Sequence, residues 1–270
     1  MQKLLFLTDL HICAPGERII GLDPSARTAA ALYAAVSTHP DAEALILLGD
    51  LTHNGLPEEY AELGRILEAI PIPIIPMLGN HDRREAFWAA FPDAPRSTEG
   101  FVQHALDIGA HRIITLDSLD GPPYADDHHA GRLCPKRMAF LKDALQDHDG
   151  PALVCVHHPP FDTGIRGMDA IKLADGDAFL DCLSDHGRTH LICGHIHKTI
   201  SGSSRCVPWS VFKSPCHQGV IDFESPNAHL STDEPGAYGL VLLHGDGVTV
   251  HTEDVGLTGV RVFDGYGSDD

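Results

Sequence analysis

The sequence predicts a layered α/β fold, and two observations carry that expectation. Short apolar runs, too short for buried helices, alternate with segments of helical length through the first two thirds of the chain. Several of these runs then end abruptly in Gly, Asp, Asn or His, the residue types that a buried strand delivers to a site at its carboxyl end.

Taken in order, residues 4–8, 44–48, 72–77, 112–116, 152–156 and 190–193 read as strands from their apolar and β-branched content. Between them, 24–38 is rich in Ala and Leu with Ser25 near its start, and 57–70 opens Pro-Glu-Glu, which suits a helix N-terminus. Segments 83–91, 135–147 and 177–186 complete the helices. The alternation implies largely parallel strands in this part. After His197 the character changes. Segments 219–223, 239–243 and 248–253 are strand-like with little helix between them, and His244-Gly245-Asp246-Gly247 reads as a hairpin turn. A second sheet with its hairpin at 239–254, antiparallel at least in part, is expected there. Residues 224–236 read as a polar loop, and 259–270 as a flexible tail. No repeat and no long linker divides the chain, so a single domain over 1–270 is expected.

The formal net charge is -19, from 38 acidic and 19 basic residues. That opposes binding of a nucleic-acid polymer, because few Lys and Arg are left to neutralise phosphates. A small anionic substrate stays compatible if bound metal reverses the local field. Seven scattered cysteines form no Cys-x-x-Cys pair, and Cys155 and Cys193 sit inside apolar runs, which argues for a reducing compartment. No apolar stretch approaches the ~20 residues of a membrane helix, and the opening residues run straight into Asp9 as a first strand. A cytoplasmic protein with no membrane partner is expected, and a homodimer is compatible with the sequence. The 19 histidines equal Lys and Arg combined, so only those at strand ends with partners carry weight.

Five strand ends carry chemistry. Asp9 and His11 follow the first and, at i and i+2 of an extended segment, face one side. Gly49-Asp50 follows the second and Gly79-Asn80-His81-Asp82 the third. His157-His158-Pro159-Pro160 and Gly194-His195-Ile196-His197 close the last two, again with an i, i+2 pair. Each cluster alone is commonplace. Together they converge on the crevice where open sheets bind ligands. Nitrogen and oxygen donors without thiolate suit Mn, Fe, Zn or Co.

This order of motifs, from Asp9 to His197, resembles the calcineurin-like metallophosphoesterases. The stretch Gly49-Asp50-Leu51-Thr52-His53-Asn54-Gly55-Leu56-Pro57-Glu58-Glu59-Tyr60 is further similar to the class III cyclic-nucleotide phosphodiesterases and their glycerophosphodiesterase relatives. The resemblance implies a four-layer α/β/β/α sandwich of two mixed sheets flanked by helices, with a binuclear metal centre. It implies that Asp9, His11, Asp50 and His197 hold one divalent ion, and that Asp50, Asn80, His157 and His195 hold the other, with Asp50 bridging. It implies a catalytic His81 that is no ligand and meets the substrate with Asn80. Two ions carry about +4, of which Asp9 and Asp50 cancel about two units, and one hydroxide with one monoanionic diester balances the rest.

One departure matters. Phosphoprotein phosphatases of this superfamily carry Asp-Arg where this chain has His53-Asn54, and that Arg would clamp a dianionic monoester. Arg83 and Arg166 are the remaining candidates for a clamp. His158 is expected to point away from His157 and serve a supporting role. His217, before a strand, is a candidate substrate donor. The leading expectation is hydrolysis of a small phosphodiester, either a cyclic nucleotide or a glycerophosphodiester, by metal-held hydroxide. The alternatives are a broad phosphomonoesterase and a non-catalytic scaffold, the latter opposed by the seven filled ligand positions.

Overall fold

The apolar runs become strands because both of their faces are covered. The computed structural model describes residues 1–124 and 129–257. Its elements run β1 (Gln2–Leu7), α1 (Pro24–Thr38), β2 (Ala44–Leu48), α2 (Pro57–Leu67), β3 (Ile74–Met77), α3 (Arg84–Ala90), β4 (His104–Ile108), β5 (His111–Leu116), α4 (Pro135–Gln146), β6 (Ala152–Val156), α5 (Arg166–Asp169), α6 (Gly176–His186), β7 (Thr189–Cys193), β8 (Ile200–Ser204), β9 (Val207–Val211), β10 (Gln218–Gly219), β11 (Ser231–Thr232), β12 (Ala237–Leu243) and β13 (Val248–Asp254). One sheet has the order β13-β12-β1-β2-β3 and the other β4-β5-β6-β7-β9-β8, with β10-β11 as a small separate pair. Parallel pairing joins β1, β2 and β3, and likewise β5, β6 and β7.

Side-chain alternation along each strand builds the layers. Leu4, Phe6, Ile46 and Leu48 of the first sheet meet Ile113, Leu153, Cys155 and Ile192 of the second. Their neighbours Leu5, Leu7, Leu45 and Leu47 face Leu32, Tyr60, Leu63 and Phe87 of α1, α2 and α3. On the far side Ile114, Val154, Val156 and Leu191 pack on Leu141, Phe179 and Leu183 of α4 and α6. The result is the four-layer α/β/β/α sandwich. Among the described residues no helix is long and apolar enough to cross a membrane.

The carboxyl-terminal part differs from the expectation. The hairpin does not form a second sheet of its own: β12 pairs antiparallel with β1 and extends the first sheet. Segment 219–223 is not a strand. Gln218 and Gly219 alone pair with β11, while Ile221 and Phe223 lie exposed. The chain at 200–211 supplies two unanticipated strands, β8 and β9, to the second sheet. The helix expected over 57–70 stops at Leu67, and the strand expected from 72 starts at Ile74 after Pro73. The tail at 259–270 lies outside the described residues.

Candidate metal centre

Each ligand candidate leaves a sheet within a few residues of a strand's carboxyl end: Asp9 and His11 after β1, Asp50 after β2, Asn80 and His81 after β3, His157 and His158 after β6, His195 and His197 after β7. The chain turns at the candidates themselves. Asp9, His11, Asp50, His195 and His197 all have positive φ, between 46° and 71°, and only three other non-glycine residues among those described do. This region disfavours side chains, and such strain is retained where a site needs it. The glycines beside them serve close approach. A Cβ at Gly79 would lie 2.6 Å from His157 Nε2 and overlap the Asp50 carboxylate.

Backbone and side-chain donors then fix the orientations. The Asp9 carboxylate accepts from Thr8 Oγ1 at 2.7 Å and from the His195 amide at 3.0 and 3.1 Å. Asp50 Oδ1 accepts from the His81 amide at 2.9 Å, and Asp50 Oδ2 sits 3.3 Å from His157 Nε2 and 3.7 Å from His11 Nε2. His157 Nδ1 bonds the Leu48 carbonyl at 2.9 Å, and His197 Nδ1 bonds the His217 carbonyl at 2.8 Å. Such outer bonds set the tautomer and leave Nε2 free for a metal. His81 follows the same pattern, with Nδ1 on the His53 carbonyl at 2.7 Å, but its Nε2 is left for the cavity. Asp82, the last residue of the Gly-Asn-His-Asp turn, ties the loops together. It accepts from the amides of Leu51, Thr52 and Gly79 and from Tyr60 Oη, at 2.9 to 3.2 Å.

The centre fits divalent cations. Asp9, His11, Asp50, Asn80, His157, His195 and His197 are all buried, and Asn80 Oδ1 and His195 Nε2 have no hydrogen-bond partner among the described residues. Oxygen and imidazole donors orphaned in this way are those a borderline divalent ion takes. Among the described residues, close groups of three donor atoms form at Asp9, His11 and Asp50, at His157, His158 and His195, at His11, His197 and His217, and at His11, His53 and His81.

Electrostatics agree. Burial pushes the Asp50 carboxyl up, but His157, His81 and His11 reverse this and hold it well below the usual range. Asp9 is lowered in the same way, burial being outweighed by His197 and His157. Against its own burial, His157 is pushed up to about 9 by Asp50 and Asp9. His197 is raised by Asp9, again against burial. Burial lowers His195 to about 3, with His157 adding to it, and takes His217 to about 3 with help from His197. His217 is thus a neutral imidazole beside the charged pairs.

Above these residues lies a cavity of about 280 Å³. His11, Asp50, Asn80, His81, His195, His197 and His217 reach it, so all the sequence-selected site residues meet there except Asp9 and His157, which lie beneath. Met168, Ile171 and Leu230 form part of its wall. Ile19, Ile20, His53, His129 and His229 were missed. The loop bearing Ile19 carries no motif, and single histidines are uninformative in a chain with so many. His129 Nδ1 bonds Asn80 Nδ2 at 3.0 Å, which leaves Asn80 Oδ1 for the metal side. Neither candidate arginine lines the cavity. Arg83 Nη1 donates to the carbonyls of Asn80 and Asp82, and Arg166 Nη1 to that of Glu224. Asn54 is held by the Glu59 carboxylate at 2.8 and 2.9 Å. His158 departs from the expectation: its ring does not point away but lies 4.8 Å from that of His157 and 4.7 Å from that of His195.

Comparison with known proteins agrees with this geometry. The calcineurin-like phosphoesterase family model matches residues 2–199. A probable cyclic nucleotide phosphodiesterase of Rhodopseudomonas palustris is 40% identical over 253 residues, covering 93% of this chain and 91% of that protein. The glycerophosphodiester phosphodiesterase GpdQ of Enterobacter lignolyticus is 28% identical over 239 residues, covering 86% and 84%. Among solved structures, the purple acid phosphatase PPD1 of yellow lupin superposes with a TM-score of 0.68 at 13% identity, over 94% of this chain and 51% of that one. GAP50, an anchor in the inner membrane complex of Plasmodium, superposes at 0.63 and 12% identity over 96% and 90%, so the fold alone does not decide activity. Family model, relative and donor set together do: the chain belongs to the calcineurin-like phosphoesterase family and is a metal-dependent phosphoester hydrolase.

Proposed function

We propose that the protein hydrolyses small phosphodiesters, cyclic nucleotides or glycerophosphodiesters, at a centre of two divalent ions drawn from Mn, Fe, Zn or Co. Asp9, His11, Asp50 and His197 hold one ion, and Asp50, Asn80, His157 and His195 the other. When bound, such ions supply a water nucleophile at neutral pH and offset charge on the phosphoryl oxygens.

The observation that carries the diester reading is the cavity lining, which among the described residues contains eight histidines, one aspartate and no Lys or Arg. A dianionic monoester needs added positive charge that this lining lacks, whereas a monoanionic diester does not. The names of the Rhodopseudomonas and Enterobacter relatives point the same way. A cavity of about 280 Å³ admits a small molecule and not a polymer.

The chain's own residues do the rest. The His53 carbonyl holds the His81 Nδ1–H and turns Nε2 to the cavity, so that the ring, when it carries a second proton on Nε2 as the imidazolium, delivers that proton to the leaving alkoxide and is left neutral with Nδ1–H. His217, kept neutral by burial and His197, offers a hydrogen bond to a phosphoryl oxygen without adding charge. Apolar Ile20, Met168, Ile171 and Leu230 receive the part of the substrate beyond the phosphate. The free cysteines fit a cytoplasmic setting. The test is a substrate screen on Mn-loaded protein, comparing cyclic mononucleotides, glycerophosphodiesters and the matching monoesters. Turnover of at least one diester class above its monoester is expected, and turnover of monoesters alone would overturn the reading.

A further inference from the structure

We propose that His158 is an additional ligand, through Nε2, of the ion held by Asp50, Asn80, His157 and His195. The inference rests on the two-ion reading above and extends it to a side chain outside that ligand set.

Four observations converge on it. First, His158 is fully buried, and its Nε2 has no hydrogen-bond partner of ordinary geometry among the described residues, the ring's backbone neighbour being His129. A buried imidazole nitrogen left in that state calls for a partner. Second, one ring nitrogen from each of His157, His158 and His195 lies within 4.8 Å of those of the other two, close enough for the three to share an ion. Third, His158 has the two-ended arrangement of the other ligand candidates. Its Nδ1 is bonded to Ser118 Oγ at 2.7 Å, as His157 Nδ1 is bonded to the Leu48 carbonyl, and the outer bond aims the inner nitrogen. Fourth, the space around the ring is cleared for it. A Cβ at Gly131 would lie 2.5 Å from His158 Cγ and 2.8 Å from its Cβ.

Position excludes the obvious alternatives. His158 does not line the cavity, so it neither meets the substrate nor exchanges a proton with it. The ring packs at 89° to that of His157, on the side of the cluster turned to Ser118 at the end of β5. A neutral nitrogen donor there adds no charge to the centre. It would hold the ion from the side away from the cavity, which His158 does not line.

The test is nitrogen NMR of the unmutated, histidine-labelled protein during titration with Zn2+, which needs no variant to read the binding. The Nε2 resonances of His157, His158 and His195 are expected to move together to metal-bound positions. The His158 signal is assigned by its loss in His158→Gln or, should that variant not fold, by its displacement in Ser118→Ala. His158→Gln is further expected to weaken the second zinc at least tenfold, the scale seen when even an outer partner of a ligand is removed. If His157 and His195 move while His158 keeps its free resonance, or if His158→Gln binds zinc as tightly as the parent, the inference is overturned and the two-ion reading stands. If no histidine signal responds to zinc, both fall.

Discussion

The floor of the cavity and its wall are built from different parts of the chain and under different constraints. The floor comes from strand ends, and its candidate ligands are almost wholly buried with bonds to sheet backbone or to each other. The wall comes from loops and the short helix α5: Ile19, Met168, Ile171 and Leu230 are half-buried, and Ile20 and His229 are exposed. Backbone strain is concentrated in the floor, at Asp9, His11, Asp50, His195 and His197, with Ile20 the wall's sole share among the lining residues. The difference separates two jobs. A floor welded to two sheets holds ions and reacting groups in register, whereas a wall of loops alters substrate fit without disturbing the chemistry.

Changes to the floor should therefore act on metal and rate, and changes to the wall on binding. The largest effect is expected for Asp50→Ala, because its Oδ2 lies between His157 and His11 and the proposed two-ion reading has it serve both ions. Metal analysis should find both ions depleted, more than in any other single-ligand variant; one ion lost with the other retained would end the bridging role. Next comes His81→Ala. Its turnover of a natural diester should fall roughly 10²–10⁴-fold, the usual worth of a general acid. The loss on bis(p-nitrophenyl) phosphate should be far smaller, since nitrophenolate leaves readily without a proton, and metal content should not change. Equal losses on both substrates would make His81 an orienting residue.

A third effect is the pH dependence of metal loading. In the metal-free protein His157 is pushed up to about 9, so below that pH its Nε2 carries a proton that an entering ion must displace. Affinity should climb as pH rises toward 9, by about tenfold per unit for each proton released, and then level off. Calorimetry in buffers of differing ionisation enthalpy measures the release; none at pH 7 would contradict the Asp50–His157 pairing. The smallest effect is expected in the wall. Met168→Ala should raise KM a few-fold with kcat nearly unchanged, the mark of lost uniform binding. A large fall in kcat would erase the distinction between floor and wall.

The same division governs what could be read from the sequence. Strands such as β2 and β6 are buried on every residue, so their apolar runs stand out, and the polar residue after each is conspicuous. β4 and β8 are half exposed, and the Ile-Ser-Gly-Ser-Ser of β8 has no apolar alternation to detect. Ile221 and Phe223 misled in the other direction, since apolar residues in a polar setting mimic a strand while lying exposed on a loop. Which sheet the hairpin joins depends on pairing with β1, more than two hundred residues away, which no local pattern encodes. In the site, i and i+2 spacing indicated shared faces at Asp9 and His11. The turn after β6, by contrast, brings His157 and His158 to one cluster, where simple strand alternation separates them.

On the proposed reading the floor is charge-matched to a diester, because the cavity lining supplies no cationic clamp among the described residues. The most direct measurement compares kcat/KM for bis(p-nitrophenyl) phosphate and p-nitrophenyl phosphate on the same metal-loaded protein, the leaving group being identical. The diester is expected to be the better substrate. A clear preference for the monoester would contradict the claim and identify a phosphomonoesterase.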